Sequence, residues 1–199
     1  MQLSKTGYYA DFAIYAAGIA AIATAAAVLD DARAGAAWAL AAIAGAAAWT
    51  LIEYLLHRFV LHRMAPFEAM HDVHHQAPRA FVGTPTWLSL GVIVLVIFLP
   101  AWAASSLNLA SGLAAGVMAG FFWYGVVHHT IHYRRPRLLA ARMVLTIHRH
   151  FEHHYSPEPG NYGVTFQFWD RIFGTALPDR ALHGQRRSPG PAATWPALD

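Results

Sequence analysis

Residues 34–61 read AGAAWALAAIAGAAAWTLIEYLLHRFVL. Apart from His57, the ionisable side chains of this stretch are Glu53, Tyr54 and Arg58, all gathered toward its C-terminal end. As a helix rising 1.5 Å per residue it would be about 42 Å long, more than the roughly 30 Å of a bilayer's hydrocarbon core. It is therefore expected to cross a membrane and to push its C-terminal end, with His57, beyond the apolar zone. Three more apolar runs have a spanning length: Tyr8 to Leu29, Thr84 to Leu107 and Leu109 to Tyr133. The fold class this predicts is all-α and integral to the membrane, with four transmembrane helices. Segments 62–83 and 134–178 then form a helical cap over one end of the bundle.

Composition agrees with that reading. The 199-residue chain is 56% hydrophobic and only 13% charged, too apolar for an ordinary soluble domain of its size. It has no cysteine, which excludes disulfides, thiolate-bound clusters and a cysteine nucleophile together. The net charge of +3 follows the membrane topology rather than marking a nucleic-acid surface. Lys5, Arg58, Arg63, Arg79 and every arginine from Arg134 onward fall on one side of the bundle, and Arg33 alone on the other. By the positive-inside rule the termini and both cap segments are cytoplasmic. The expectation is a multi-pass protein of a bacterial inner membrane, retaining its first helix.

Residues 1–178 read as a single membrane-embedded domain. The remainder, 179–199, with Ser188-Pro189-Gly190-Pro191, reads as a disordered tail. A cap helix is expected from Pro136 to about His150. Gly112, Gly116 and Gly120 recur at four-residue spacing, which lets helices approach closely within the bundle.

Of thirteen histidines, all but His183 lie in two windows, 57–75 and 128–154. His71, His74 and His75 form HxxHH, and so do His150, His153 and His154. Positions i, i+3 and i+4 share one helix face, so each triplet can converge on one point. His128 and His132 are an i, i+4 pair. His57 and His62, five apart, stand about 140° apart around a regular helix and suit a ragged helix end. Ten imidazoles are too many for one ion but give two ions five nitrogens each, leaving a six-coordinate metal one open position. A structural zinc site closes with four ligands. Two catalytic metals therefore fit better than one structural metal. Glu53, one turn before His57, and Asp72 are the carboxylates placed to orient imidazoles through their second ring nitrogen. His129 and His148 stand outside the pattern.

Four stretches carry a family resemblance: His57-Arg-Phe-Val-Leu-His62, His71-Asp-Val-His74-His75, His128-His-Thr-Ile-His132 and His150-Phe-Glu-His153-His154. In order and spacing they resemble the fatty acid hydroxylase and sterol desaturase superfamily, as does the stretch from Asn161 to Thr175, NYGVTFQFWDRIFGT. The resemblance covers residues from about 50 to 175. It implies a centre of two iron ions bound by the ten histidines, with zinc able to replace iron on purification. It also implies dioxygen as co-substrate and a lipid chain entering from the bilayer to be oxidised at a C–H bond. Hydroxylation of a fatty acyl or related chain is the leading expectation; desaturation of a lipid or sterol and hydroxylation of a carotenoid ring share the same chemistry. With no cysteine and no G-x-G-x-x-G fingerprint, electrons are expected from an external donor, a ferredoxin or a cytochrome b-type protein with its reductase. A metal transporter or store would instead place polar ligands along the middle of several spans.

Overall fold

The structure, a computed structural model, describes residues 2–133 and 140–178. Among these residues the regular elements are all helices, apart from one isolated antiparallel bridge between Gln2 and Val82. Helix α1 covers Lys5–Leu29, beginning where Ser4 Oγ accepts the Gly7 N–H at 3.0 Å. Helix α2, Ala32–Leu55, opens on Asp31, whose side chain accepts from the Arg33 and Ala34 N–H groups. It runs straight into a π-helical stretch, Leu56–Leu61. A short helix α3, Phe67–Gln76, follows.

The third span is built in three pieces: α4, Thr86–Val92; a π-helical stretch, Ile93–Phe98; and α5, Leu99–Ala104. Pro100 lacks the N–H that a regular helix needs there, and the wider turns before it absorb the misfit. Helix α6, Leu107–Tyr133, returns to the histidine end. Helix α7, Ala140–Tyr155, and α8, Phe168–Ile172, complete the cap. Each of the four apolar runs thus becomes a helix long and apolar enough to cross a membrane. Helix α7 extends past the expected His150 and stops just before Ser156-Pro157, since the residue preceding a proline is pushed out of helical geometry. Residues 134–139 and the expected tail, 179–199, lie outside the described residues.

Helices α2 and α6 form the most extensive pairing in the bundle. Glycine permits it: a Cβ on Gly116 would collide with the Ala42 carbonyl, and one on Gly45 with the Leu113 carbonyl. The expected glycine repeat therefore packs within this chain. A buried cluster of Tyr15, Trp49, Ile93, Ala114, Val117 and Met118 holds α1, α2, the third span and α6 together. Outward, large apolar side chains stand bare: Val28 is 75% exposed, Leu29 81% and Leu40 68%. Such a surface is stable facing acyl chains. At the end away from the histidines, Asn108 donates to Asp30 across the two short connections.

Candidate metal centre

Eight of the ten predicted ligands ride on the last turns of α6 and on the cap helices α3 and α7, and His57 and His62 on the turn that prolongs α2. The structure brings all ten together, in two sets of five. One holds His57, His62, His71, His75 and His153; the other His74, His128, His132, His150 and His154. Within each set the candidate donor atoms lie within 4.8 Å of one another.

The division corrects the expectation that each HxxHH triplet converges on one point. In both α3 and α7 the i, i+4 pair serves one set while the i+3 histidine crosses to the other. His71 and His75 are joined by His153, and His150 and His154 by His74. A 100° step per residue keeps i and i+4 within 40° of each other but swings i+3 to their opposite flank. The two sets are thus built alike: one pair from the end of a spanning helix, one pair from a cap helix, and one crossing imidazole.

The five-residue spacing of His57 and His62 finds its reason in the π-helical stretch. Where hydrogen bonds close between residues five apart, those residues stack, and the two imidazole centroids are 5.1 Å apart. What reads as a ragged end is a wide turn that brings both rings into one set.

Glu53 meets none of the described imidazoles. Buried on α2, it accepts the Val164 and Thr165 N–H groups at 2.8 Å each, and the Thr165 hydroxyl. Asp170, fully buried, accepts the Tyr162 and Gly163 N–H groups at 2.8 Å. Asn161, at φ 54°, is in the left-handed region that Asn tolerates, and its side chain ties Arg149 and Glu152 on α7 to Leu177. The loop so fixed presents two carbonyls to the histidine clusters: His57 Nδ1 donates to Tyr162 O at 2.5 Å and His153 Nδ1 to Gly160 O at 2.8 Å. Glu53 thus contacts the loop that carries these carbonyls rather than the imidazoles themselves. Asp72 is exposed and influences His62 and His75 only through space. Asp170, Asn161 and the two carbonyls escape residue-by-residue reading, because backbone acceptors carry no side-chain signal; the NYGVT stretch is their trace in the sequence.

These contacts test whether a metal fits. With Nδ1 protonated, Nε2 of His57 and His153 is a bare lone pair. His57 Nε2 nevertheless lies 3.0 Å from His71 Nε2, and His153 Nε2 3.1 Å from His62 Nε2. The second set converges likewise, His128 Nε2 on His74 Nε2 at 3.0 Å and His132 Nε2 on His150 Nε2 at 2.9 Å. Lone pairs aimed at a common point call for a cation, and neutral imidazole is a ligand suited to a borderline metal. Protons do not serve: burial, reinforced by neighbouring imidazoles, pushes His74 and His153 down to about 3 and His62 to about 4. Burial lowers His71, His75, His150 and His154 as well.

Below the histidines, inside the bundle, is a cavity of about 510 Å³. His57, His71, His74 and His128 form its roof, and apolar side chains such as Ile93, Val117 and Phe121 most of its walls. Val92 and Val96 line it and are also 49% and 62% exposed, so the cavity opens sideways at the depth of the spans. His129 lies outside both sets, with Nδ1 3.1 Å from the Tyr8 hydroxyl, and His148 is 3.2 Å from Glu152.

Fold and site together define a membrane protein in which two histidine clusters able to hold metal ions cap an apolar cavity. The family described as "Fatty acid hydroxylase" matches residues 42–175, and the chain belongs to it. Human "Fatty acid 2-hydroxylase" is 30% identical over 146 residues, 66% of this chain and 38% of that protein. "Ceramide very long chain fatty acid hydroxylase" of Saccharomyces cerevisiae is 35% identical over 153 residues, 69% of this chain and 38% of that protein. "Dihydroceramide fatty acyl 2-hydroxylase" of Arabidopsis thaliana is 28% identical over 143 residues, 66% of this chain and 58% of that protein. The chain therefore spans between about two fifths and three fifths of the length of these relatives. The solved structure of full-length scs7p, in which only the hydroxylase domain is visible, superposes with a TM-score of 0.73 at 25% identity, covering 87% of this chain and 68% of that one.

Proposed function

We propose that this chain is an oxidoreductase that hydroxylates a C–H bond of a fatty acyl lipid, using dioxygen and two iron ions held by the ten histidines. The observation that carries the reading is the roof shared by the cavity and both histidine sets: a lipid chain in the cavity meets the metal centre directly. The relatives named for hydroxylation of fatty acyl chains and ceramides point the same way.

The chain's own residues supply binding, orientation and dryness. His57, His62, His71, His75 and His153 hold one ion; His74, His128, His132, His150 and His154 hold the other. The Tyr162 and Gly160 carbonyls fix the ring orientation of His57 and His153. The apolar walls exclude water and confine the chain beneath the roof. When bound, the irons supply reductive activation of dioxygen and attack on an unactivated C–H bond. Residues 1–178 act as one domain, with the metal centre and termini cytoplasmic, where Lys5, Arg58, Arg63 and Arg79 gather. The electrons come from a separate ferredoxin or cytochrome b-type partner.

The reading is tested with purified iron-loaded protein, an electron-transfer partner, isotope-labelled dioxygen and a long-chain acyl lipid. One labelled oxygen atom should appear on the acyl chain. Turnover that leaves the chain unlabelled, or that forms only a double bond, contradicts it.

A further inference from the structure

The cavity wall carries a polar atom that the protein leaves unanswered. Asp11 lies on α1, three residues after Tyr8 and four before Tyr15, and all three line the cavity. Tyr15 donates to Ser89 at 2.9 Å, and the Tyr8 hydroxyl pairs with His129. Thr86 is within hydrogen-bonding reach of the Asp11 carboxyl. Its Oδ1, however, is buried from solvent and has no partner among the described residues. An acid on a membrane-spanning helix is expensive to keep, and a buried oxygen without a partner calls for a ligand.

Neighbouring contacts fix its height. Helix α1 runs antiparallel to α6, with Tyr8 beside His129, Phe12 beside Phe122 and Gly125, and Tyr15 beside Phe121. Asp11 therefore stands about one helical turn, roughly 5 Å, below the level of His128, on the wall of the cavity that His128 roofs.

We propose that Asp11 is a positioning residue whose Oδ1 accepts a hydrogen bond from a hydroxyl or amide N–H at the polar end of the lipid, so setting which carbon lies beneath the histidines. This rests on the lipid-hydroxylase reading above. Oδ1 accepts whether the carboxyl is ionised or protonated, because it keeps a lone pair in either form. An anchor about one turn below the level of His128, on the wall of the cavity that His128 roofs, leaves only the first carbons of the acyl chain within reach of the histidines. Oxidation close to the polar end then follows from the anchor and not from the length of the chain.

The test uses a dihydroceramide with a saturated acyl chain and an analogue methylated on its amide nitrogen and hydroxyls. Purified protein should bind the parent lipid about tenfold more tightly than the analogue, the scale of one buried hydrogen bond. It should oxidise the parent at a single carbon. Asp11→Leu should lose the discrimination and spread oxidation over adjacent carbons at unchanged metal content, and Asp11→Asn, which keeps an acceptor oxygen, should restore both. Equal binding of the two lipids by the unmodified protein overturns the proposal without recourse to any variant, as does an Asp11→Leu protein that still discriminates and still oxidises one carbon. If the unmodified protein discriminates between the lipids but oxidises neither, the functional reading falls and the anchoring role of Asp11 stands.

Discussion

Protonation and metal binding compete for the same imidazole nitrogens, and burial decides the contest here. A free histidine takes a proton near pH 6.5, whereas His62 in the folded chain is pushed down to about 4, and His74 and His153 to about 3. Between those limits the unfolded chain binds protons that the folded one refuses, so stability and metal retention rise with pH. They are complete above about pH 6.5 and are lost as pH falls toward 4. Metal release followed during acid titration should show that window; full retention at pH 3 would contradict it. Asp170 offers a second test at this scale. Asp170→Ala strands the buried N–H groups of Tyr162 and Gly163, at a cost of roughly 2–4 kcal/mol, and frees the carbonyls that orient His57 and His153. Lower thermal stability together with reduced metal content is expected, and an unchanged metal content would detach the loop from the centre. The histidines themselves were legible from their spacing. The contacts of Glu53 were not legible, because its partners are the backbone amides of Val164 and Thr165 and the Thr165 hydroxyl, more than a hundred residues away in sequence.

Two elements carry geometry that hydrophobic patterning conveys only in part. The spans are plain in the sequence because bilayer thickness dictates their length, and their ends moved by only a few residues once caps such as Ser4 and Asp31 were in place. The π-helical turn at Leu56–Leu61 was not plain, since periodicity arguments assume a 3.6-residue turn. Inserting one alanine after Phe59 would make the spacing six residues and swing His62 about 120° round the helix from His57. The expected outcome is loss of one of the two metal ions, read by elemental analysis, with the second set still loaded. Loss of neither would deny the turn its role. The α2–α6 contact makes another element-scale prediction. Gly116→Val forces a side chain against the Ala42 carbonyl and should destabilise the bundle by about 1–3 kcal/mol or more, seen as a lower unfolding temperature in detergent.

At the scale of the whole molecule, the arrangement separates tasks by depth. The far end is closed by short connections, the spans enclose a cavity open sideways to lipid, and the near end carries both histidine sets. The sequence made this division readable because the polar ligands collect at one end of a strongly apolar bundle. It could not disclose how the triplets are shared. Interleaving of α3 with α7 is a tertiary event, and only their packing decides which flank of each helix faces which set. Because each set draws on both cap helices, removing one crossing imidazole should be felt by both. His74→Ala or His153→Ala is expected to abolish turnover and to deplete metal beyond a single ion.

The central claim, oxidation of a lipid chain at a histidine-held metal pair, is tested most directly by mass spectrometry of total lipids from cells making this chain, compared with cells making the His153→Ala variant. The account predicts acyl lipids heavier by one oxygen atom in the first and not in the second. Identical acyl lipids in both, or an oxygen gained equally with the variant, would contradict it.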